Sequence, residues 1–423
     1  MATWISQRWQ PSFQEGLTRR DRQGCLYDAY LPDPLMGRAI MLNGDVAADV
    51  ADADWSIATF TSQTNLATTD AFARLLLRAD AVASSRIEGL EVGARRLLRA
   101  QAAIAMDDDP QDLTAEEVLG NIEAMNWAVQ VVAEAERITP GHLLEIHQRL
   151  LSRGHMREHA GRWRTEQNWI GGSRFSPCRA VYVPPPSERI LALIEDLCDF
   201  CNSDHLPAVV QAAMAHAQFE TIHPFVDGNG RTGRALIHIV LKRRRPAQRT
   251  VPPVSLILAT WSEDYVNCLM ESRYTGSPDT PEVRDALNRW VGLFAMACGR
   301  AAADARHYAS FVRELQWEWR KKTAHPRKGS AVDKLIDLLP GAPILTVASA
   351  AGLTGRSFQA ANEAIRRLEA GGVLRQVRIG KRNRAFESPD MIDLFTDIER
   401  RMASPGGDTR VSPPARPTAQ RRP

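Results

Sequence analysis

The run His223-Pro224-Phe225-Val226-Asp227-Gly228-Asn229-Gly230-Arg231-Thr232-Gly233-Arg234 brings a base, a carboxylate, an amide between two glycines and two guanidinium groups into one short segment. His223 is the side chain whose ordinary pKa suits proton abstraction near neutrality. Asp227 is the hard oxygen ligand that a Mg²⁺ ion bridging phosphates would take. Gly228, Gly230 and Gly233 let backbone N–H groups turn inward with no Cβ in the way. Successive inward N–H groups beside a helix start form an anion nest. Arg231 and Arg234 lie three apart, so on a following helix they share one face. These parts describe a site for a nucleoside triphosphate with a general base beside it.

The flanking sequence must hold that segment in place. Val209 to Phe219 reads as an apolar helix leading into it, and Ala235 to Lys242 continues the helix that Arg231 and Arg234 begin. The segment is then a loop between two core helices, which suits a rigid site. Phe225, apolar between polar neighbours, is expected to anchor the loop in the core. His216, about two turns before His223, and His147, on an amphipathic stretch with Leu143, Leu144, Ile146, Leu150 and Leu151, are expected to pack rather than react. From Thr69 onward Phe72, Leu75, Leu76, Ala79 and Val82 recur at helical spacing. The span from Leu113 to Cys298 is otherwise mostly helical. Gly161 to Pro186 interrupts it: Trp163, Trp169, Ile170, Val181, Tyr182 and Val183 favour strands, Gly171-Gly172 lies between them, and Pro184-Pro185-Pro186 closes the segment. This predicts a β-hairpin, whose exposed edge could pair with an extended peptide.

The pattern His-x-Phe-x-Asp-Gly-Asn-Gly-Arg-x-x-Arg resembles the signature of the Fic (Fic/Doc) family, and every fixed position is filled. The resemblance implies a protein adenylyltransferase that uses ATP and Mg²⁺. His223 would take the proton from a Ser, Thr or Tyr hydroxyl of a target protein, or of the chain itself. Asp227 would hold Mg²⁺ against the α- and β-phosphates. Asn229 and the neighbouring N–H groups, with Gly228, Gly230, Thr232 and Gly233 around them, would steady the α-phosphate, while Arg231 would meet the β- and Arg234 the γ-phosphate. Positioning and charge neutralisation do most of such chemistry. Ser84, Glu88 and Gly89 fit the Ser/Thr-x-x-x-Glu-Gly motif that marks the autoinhibitory helix of such proteins, here about residues 80–92. A Glu88 carboxylate paired with Arg234 would remove the partner of the γ-phosphate and put negative charge where phosphate must sit. Asn168-Trp169-Ile170-Gly171-Gly172 and Tyr182-Val183-Pro184-Pro185-Pro186 resemble the two arms of the family's flap, on which a target would dock, with Ile170 and Gly171 touching nucleotide. Where many relatives carry paired tyrosines near adenine, this chain has Tyr265 followed by Val266. The same residues leave a related reaction possible, in which a Glu88 carboxylate near Mg²⁺ would align water to remove AMP from a modified protein.

At 423 residues the chain should hold two or three domains. Its apolar fraction of 44% and charged fraction of 24% are those of a globular protein. A net charge of +3 does not demand nucleic acid. No apolar run reaches membrane-spanning length and Met1 to Gln14 is no signal peptide, so a cytoplasmic location with no membrane partner is expected. Cys198 and Cys201 form a C-x-x-C within an apolar helical pattern, which reads as buried thiols rather than a metal or redox pair.

Residues 1–65, rich in Trp, Pro and Gly, resemble the N-terminal module attached to such cores. Tyr30 to Leu35 reads as extended, because each residue before Pro is pushed out of the α region. The catalytic core should occupy 66–300, and residues 301–328, a charged helix with a basic, Pro-broken end, should link it to a C-terminal module. Residues 329–390 carry three helical patterns, then Arg375 to Ile379, a basic turn at Gly380-Lys381-Arg382-Asn383-Arg384, and Ala385-Phe386-Glu387. That order is the winged helix-turn-helix plan. Its arginines, with Arg356, Arg366 and Arg367, leave DNA open as a partner beside protein contacts or a homodimer. The alternative to an enzyme is a nucleotide-sensing DNA-binding regulator. Residues 402–423 are poor in apolar side chains and are expected to be disordered. The expected fold is therefore mainly α: a helical core with a β-hairpin flap over 161–186 and a C-terminal winged helix.

Overall fold

The structure, a computed structural model, describes residues 1–11, 18–19, 21–62, 66–244, 250–379 and 383–398; the tail at 402–423 and the turn at 380–382 lie outside them. The chain opens with two antiparallel strands, β1 (Thr3–Trp9) and β2 (Cys25–Leu31), with Thr3 opposite Leu31 and Trp9 opposite Cys25. Helices α1 (Gly44–Ser62), α2 (Leu66–Ile87), α3 (Ala94–Ile104), α4 (Leu113–Gln130) and α5 (Pro140–Leu151) come next. Beyond the segment 161–186 lie α6 (Ile190–Asn202), α7 (Ala208–Ile222), α8 (Asn229–Arg243), α9 (Val254–Thr260), α10 (Ser262–Glu271) and α11 (Pro281–Lys322). The C-terminal part runs α12 (Ala331–Leu338), β3 (Ile344–Leu345), α13 (Val347–Thr354), α14 (Phe358–Ala370), β4 (Arg375–Ile379), β5 (Asn383–Glu387) and α15 (Pro389–Asp397).

The expected helical architecture is present, and α7 and α8 form its centre. Every residue of α7 except Glu220, and every residue of α8 from Asn229 to Lys242, is buried. A helix covered all round must be enclosed by other elements, and α2, α4, α5, α6 and α11 supply the cover. Asp80, fully buried on α2, fixes three of these elements together. It accepts a 2.7 Å hydrogen bond from the Ser255 N–H at the start of α9, another from the Ser255 hydroxyl at 2.9 Å, and faces His238 Nε2 of α8 at 2.7 Å. A buried carboxylate is tolerable when its oxygens are satisfied in this way.

Two features depart from the sequence reading. The first is α1, a long helix inside a module whose composition pointed only to extended chain. Its apolar side chains Val46, Val50, Ala53, Ile57 and Phe60 follow helical spacing and pack along α11; the aspartates interspersed among them obscure the pattern. The second is α11 itself, a single helix of 42 residues with no break near residue 300. Thr280 caps its N–H groups and Pro281 stands at its first turn, where a missing N–H costs nothing. Near its start Trp290 donates to Ala213 O at 2.9 Å in the core; near its end Trp319 donates to Asp390 at 2.8 Å, and Arg320 binds Asp333 and Asp337 at 3.0 and 2.7 Å.

The C-terminal elements run helix, strand, two helices and hairpin; the short strand β3 between the first two helices was not expected, and β5 lies between β3 and β4. They sit against α2 and α3. Arg78 of α2 donates to Gly341 O at 3.1 Å, and the buried Glu387 carboxylate accepts from Arg99 and Arg375, with Arg95 at 3.8 Å. Cys198 and Cys201 are buried, unbonded thiols, and burial pushes the Cys198 thiol up to about 12. Cys25 and Cys178 are joined in a disulfide, a bond rare in reducing compartments.

Helices α4 and α5 touch backbone to backbone at Gly120, where an added Cβ would lie 2.5 Å from Leu150 O. Gly120→Ala should therefore destabilise the protein by about 1–3 kcal/mol, the usual cost of overpacking. Urea unfolding measures this, and an unchanged midpoint would contradict the packing described.

Candidate active site

Helix α7 ends at Ile222, and His223 takes the left-handed conformation, φ 49° and ψ 59°. That conformation costs a non-glycine residue roughly 1–2 kcal/mol, so its surroundings must hold it. Arg164, only 3% exposed, does much of this work. Its Nε donates to His223 O at 2.9 Å, its backbone N–H to Pro224 O at 2.9 Å, and its remaining nitrogens to Glu166 O at 3.1 Å and Pro185 O at 2.5 Å. One buried guanidinium thus ties both ends of the segment 161–186 to the backbone of His223. Burial lowers its pKa to about 10, so it stays charged at neutral pH.

The rest of the loop is fixed from below. Phe225 is fully buried, stacked on His147 at 3.7 Å and on Trp163 at 4.9 Å. His147 takes the packing role expected of it: Nε2 lies 2.9 Å from Asp227 O, Nδ1 accepts from Gly161 N–H at 3.1 Å, and burial depresses its pKa to about 4. The Asn229 amide closes the loop on itself, accepting from Phe225 N–H at 2.8 Å and donating to Phe225 O at 2.9 Å. Its side chain therefore fixes the shape of the loop at the start of α8. Gly228, at φ +75°, precedes the first turn of α8, and a Cβ there would lie 2.8 Å from Leu150 Cδ2.

The structure brings the charged residues together as expected. Arg231 is buried and donates to Asp227 Oδ2 at 3.0 Å, while the Asp227 side chain is 45% exposed to the cleft. Among the described residues no group of three His, Cys, Asp or Glu side chains could hold a metal alone. A single accessible carboxylate fits Mg²⁺, which binds through one or two carboxylates and takes the rest of its shell from phosphate and water.

Glu88 stands in the first turn beyond α2, where Gly89 at φ +81° ends the helix. Its Oε1 accepts from Arg234 Nη2 at 2.7 Å. Arg234, 1% exposed, also donates from Nε to Ser84 Oγ and from Nη2 to Ser84 O, both at 2.8 Å. The guanidinium thus meets the carbonyl end of α2 as well as the carboxylate, and both favour the cation. Burial raises the Glu88 pKa, but Arg234 more than offsets this and the net direction is down. The carboxylate lies over Gly230, where a Cβ would collide with its Oε1. Glu88 therefore occupies the anion position at the start of α8.

The flap is held by single bridges rather than a ladder. Ile170 N–H donates to Tyr182 O and Val181 N–H to Ile170 O, both at 2.8 Å. Positive φ at Gly171 and Gly172 and the helical turn Pro177–Arg179 break the regular hairpin that was expected. Strand β2 supports its far side through Tyr30 N–H to Val183 O at 2.9 Å and the Cys25–Cys178 bond. The root is tied to the motif by Asn168, which donates to Phe225 O at 3.0 Å. Tyr265 is 3% exposed and its hydroxyl lies 2.7 Å from His216 Nε2, so it packs beneath Arg234 instead of lining an open base pocket. Arg164, Asn168 and Glu220 were not foreseen. Arg164 carried no distinguishing signal, since Arg162, Arg174 and Arg179 lie in the same segment.

Arg164→Met leaves the carbonyls of His223, Glu166 and Pro185 without their donor. Each buried, unpaired polar group costs about 1–3 kcal/mol, so the variant should melt several degrees lower. An unchanged melting temperature would contradict the clamp.

Residues 137–241 match the Fic/DOC family and residues 48–130 match the Fic/DOC family N-terminal region. Protein adenylyltransferase fic-1 of Caenorhabditis elegans is 34% identical over 137 residues, 32% of this chain and 24% of its own length. Protein adenylyltransferase Fic of Drosophila virilis is 36% identical over 131 residues, 30% of this chain and 25% of its own. The chain thus spans about a quarter of the length of these curated relatives. Among solved structures, a Fic family protein from Desulfovibrio desulfuricans G20 aligns with a TM-score of 0.48 at 20% identity, over 82% of this chain and 97% of its own. Fic-1 from C. elegans aligns with a TM-score of 0.47 at 20% identity, over 64% and 73%.

Proposed function

We propose, from the premise that this chain belongs to the Fic/DOC family through residues 48–130 and 137–241, that it transfers AMP from ATP to a hydroxyl of a target protein and that Glu88 holds this activity down. The observation that carries the reading is the Arg234–Glu88 pair at 2.7 Å over Gly230, beside a fixed His223. His223, held by Arg164, would accept the proton of a Ser, Thr or Tyr hydroxyl. The hydroxyl oxygen attacks the α-phosphorus in line, the bond from that phosphorus to the bridging oxygen breaks, and pyrophosphate leaves with the electron pair. Arg231 and Arg234 would bind the β- and γ-phosphates, and the N–H groups of the loop would meet the α-phosphate. Asp227 would hold Mg²⁺, which supplies charge neutralisation along the phosphates. The exposed arm at Ile170–Gly171 would take an extended target segment and bring its hydroxyl to His223.

Among the described residues no helix is long and apolar enough to cross a membrane. DNA binding through 329–390 is the second reading, supported by Arg378 and Arg384, exposed on β4 and β5. Other candidate arginines are engaged within the chain: Arg356 donates to Gly329 O and Arg367 to Thr323 O. We therefore place the weight on transfer.

Labelled ATP with the purified chain tests this. Glu88→Gly frees a guanidinium held by charged hydrogen bonds worth about 1.5–3 kcal/mol, so transfer should rise roughly 10- to 100-fold. His223→Ala in that background should lose about 10²- to 10⁴-fold. Equal labelling by wild type and Glu88→Gly would refute the inhibitory role. Labelling that survives His223→Ala would refute the base.

A further inference from the structure

We propose that Glu220 is a positioning residue for His223: from the preceding turn of α7 its carboxylate faces Nδ1 of the imidazole and stabilises the imidazolium formed when Nε2 takes the substrate proton. The inference rests on the AMP-transfer reading and extends it to a residue outside the signature.

Glu220 Oε2 lies 3.9 Å from His223 Nδ1. That nitrogen is shut away from solvent and makes no well-formed hydrogen bond, with the Glu220 backbone carbonyl the other acceptor near the ring, so Nε2 is left to meet a hydroxyl. Glu220 Oε1 is likewise buried and unpartnered. Such groups are rare and costly in a folded interior, and here one lies on the ring that must gain a proton and the other on the carboxylate beside it. Gly233 makes the placement possible, because a Cβ there would lie 2.7 Å from Glu220 Oε1. A gap of 3.9 Å is long for a hydrogen bond and closes with a small rotation once the imidazole is charged, as catalytic contacts often tighten in the reacting complex.

The charges around Glu220 suit this role. Arg234 of α8 and Arg273, beyond α10, favour its ionised form, while Glu88, beyond α2, opposes it. The phenols of Tyr182 on the flap and Tyr265 on α10 and the imidazole of His216 on α7 complete the surroundings; burial keeps all three neutral. Burial of Glu220 dominates and lifts its pKa to about 7. His223 is depressed to about 4, first by burial and then by Arg273 and Arg164. His223 is therefore unprotonated well below neutrality, and what changes through pH 7 is the carboxylate behind it. As pH rises, Glu220 ionises and His223 becomes the stronger base.

During transfer the target hydroxyl loses its proton to Nε2, the oxygen bonds to phosphorus, and pyrophosphate departs. The Nδ1–H then points at the Glu220 carboxylate. The proton returns to solvent from Nε2 after product leaves. Glu220 itself need not change its proton.

Two measurements on the full chain test the role. In the Glu88→Gly background, Glu220→Gln should lower kcat about tenfold, the rate equivalent of one unit of base strength. KM for ATP should stay the same and the rise in rate through pH 7 should vanish. Glu220→Asp should restore part of both. A kcat and pH profile that survive Glu220→Gln would overturn the proposal, as would equal losses in kcat and ATP affinity. The second measurement needs no turnover and so stands apart from the transfer reading. In ¹⁵N-histidine-labelled protein without nucleotide, the His223 resonances should show an inflection near pH 7 that is absent in Glu220→Gln. No inflection there in the wild type would also overturn it. An inflection without any His223-dependent labelling would instead fault the transfer reading.

Discussion

A single buried guanidinium organises this molecule. Arg234 is 1% exposed, and a cation so deep must be answered by charge or carbonyl oxygen. The end of α2 answers it three times, with Ser84 Oγ, Ser84 O and Glu88 Oε1. That requirement locks α2 against α8, and the Asp80–His238 contact farther along both helices fixes their register. On the reading proposed above, a triphosphate would satisfy the same guanidinium only once Glu88 leaves, so the contact that completes this fold would also be the one that closes the site.

The loop between α7 and α8 obeys a different logic. Its backbone is strained at His223, and the strain is balanced by contacts from below and behind: Phe225 wedged between His147 and Trp163, Asn229 bonded to Phe225, and Arg164 gripping the His223 carbonyl. Arg164 also binds the carbonyls that frame the flap, so His223 and the flap share one support. Helix α2 is also loaded midway along, where Arg78 meets Gly341, while the Glu387 cluster holds α3 to the C-terminal sheet.

Much of the site could be read from the sequence because it is local. Residues 223–234 lie on one loop and one helix turn, so spacing alone gives their relative positions, and Glu88 could be placed beside Arg234 once the motif was recognised. What escaped was long-range or conformational. Cys25 and Cys178 are 153 residues apart, and nothing in their neighbourhoods marks them as a pair. Arg164 acts through backbone carbonyls, which leave no trace in side-chain pattern. Tyr265 was expected beside adenine, but it is buried against His216 and Arg234. The helical period of α1 was present in Val46, Val50, Ala53 and Ile57, yet the aspartates among them hid it.

Everything above turns on whether Glu88 and the γ-phosphate compete for Arg234. Nucleotide affinity measured calorimetrically in wild type and Glu88→Gly tests this most directly, with ATP and ADP compared side by side. Competition predicts that Glu88→Gly tightens ATP binding and changes ADP binding far less, since only ATP carries the phosphate that replaces the carboxylate. An equal gain for both nucleotides, or none for either, would contradict it.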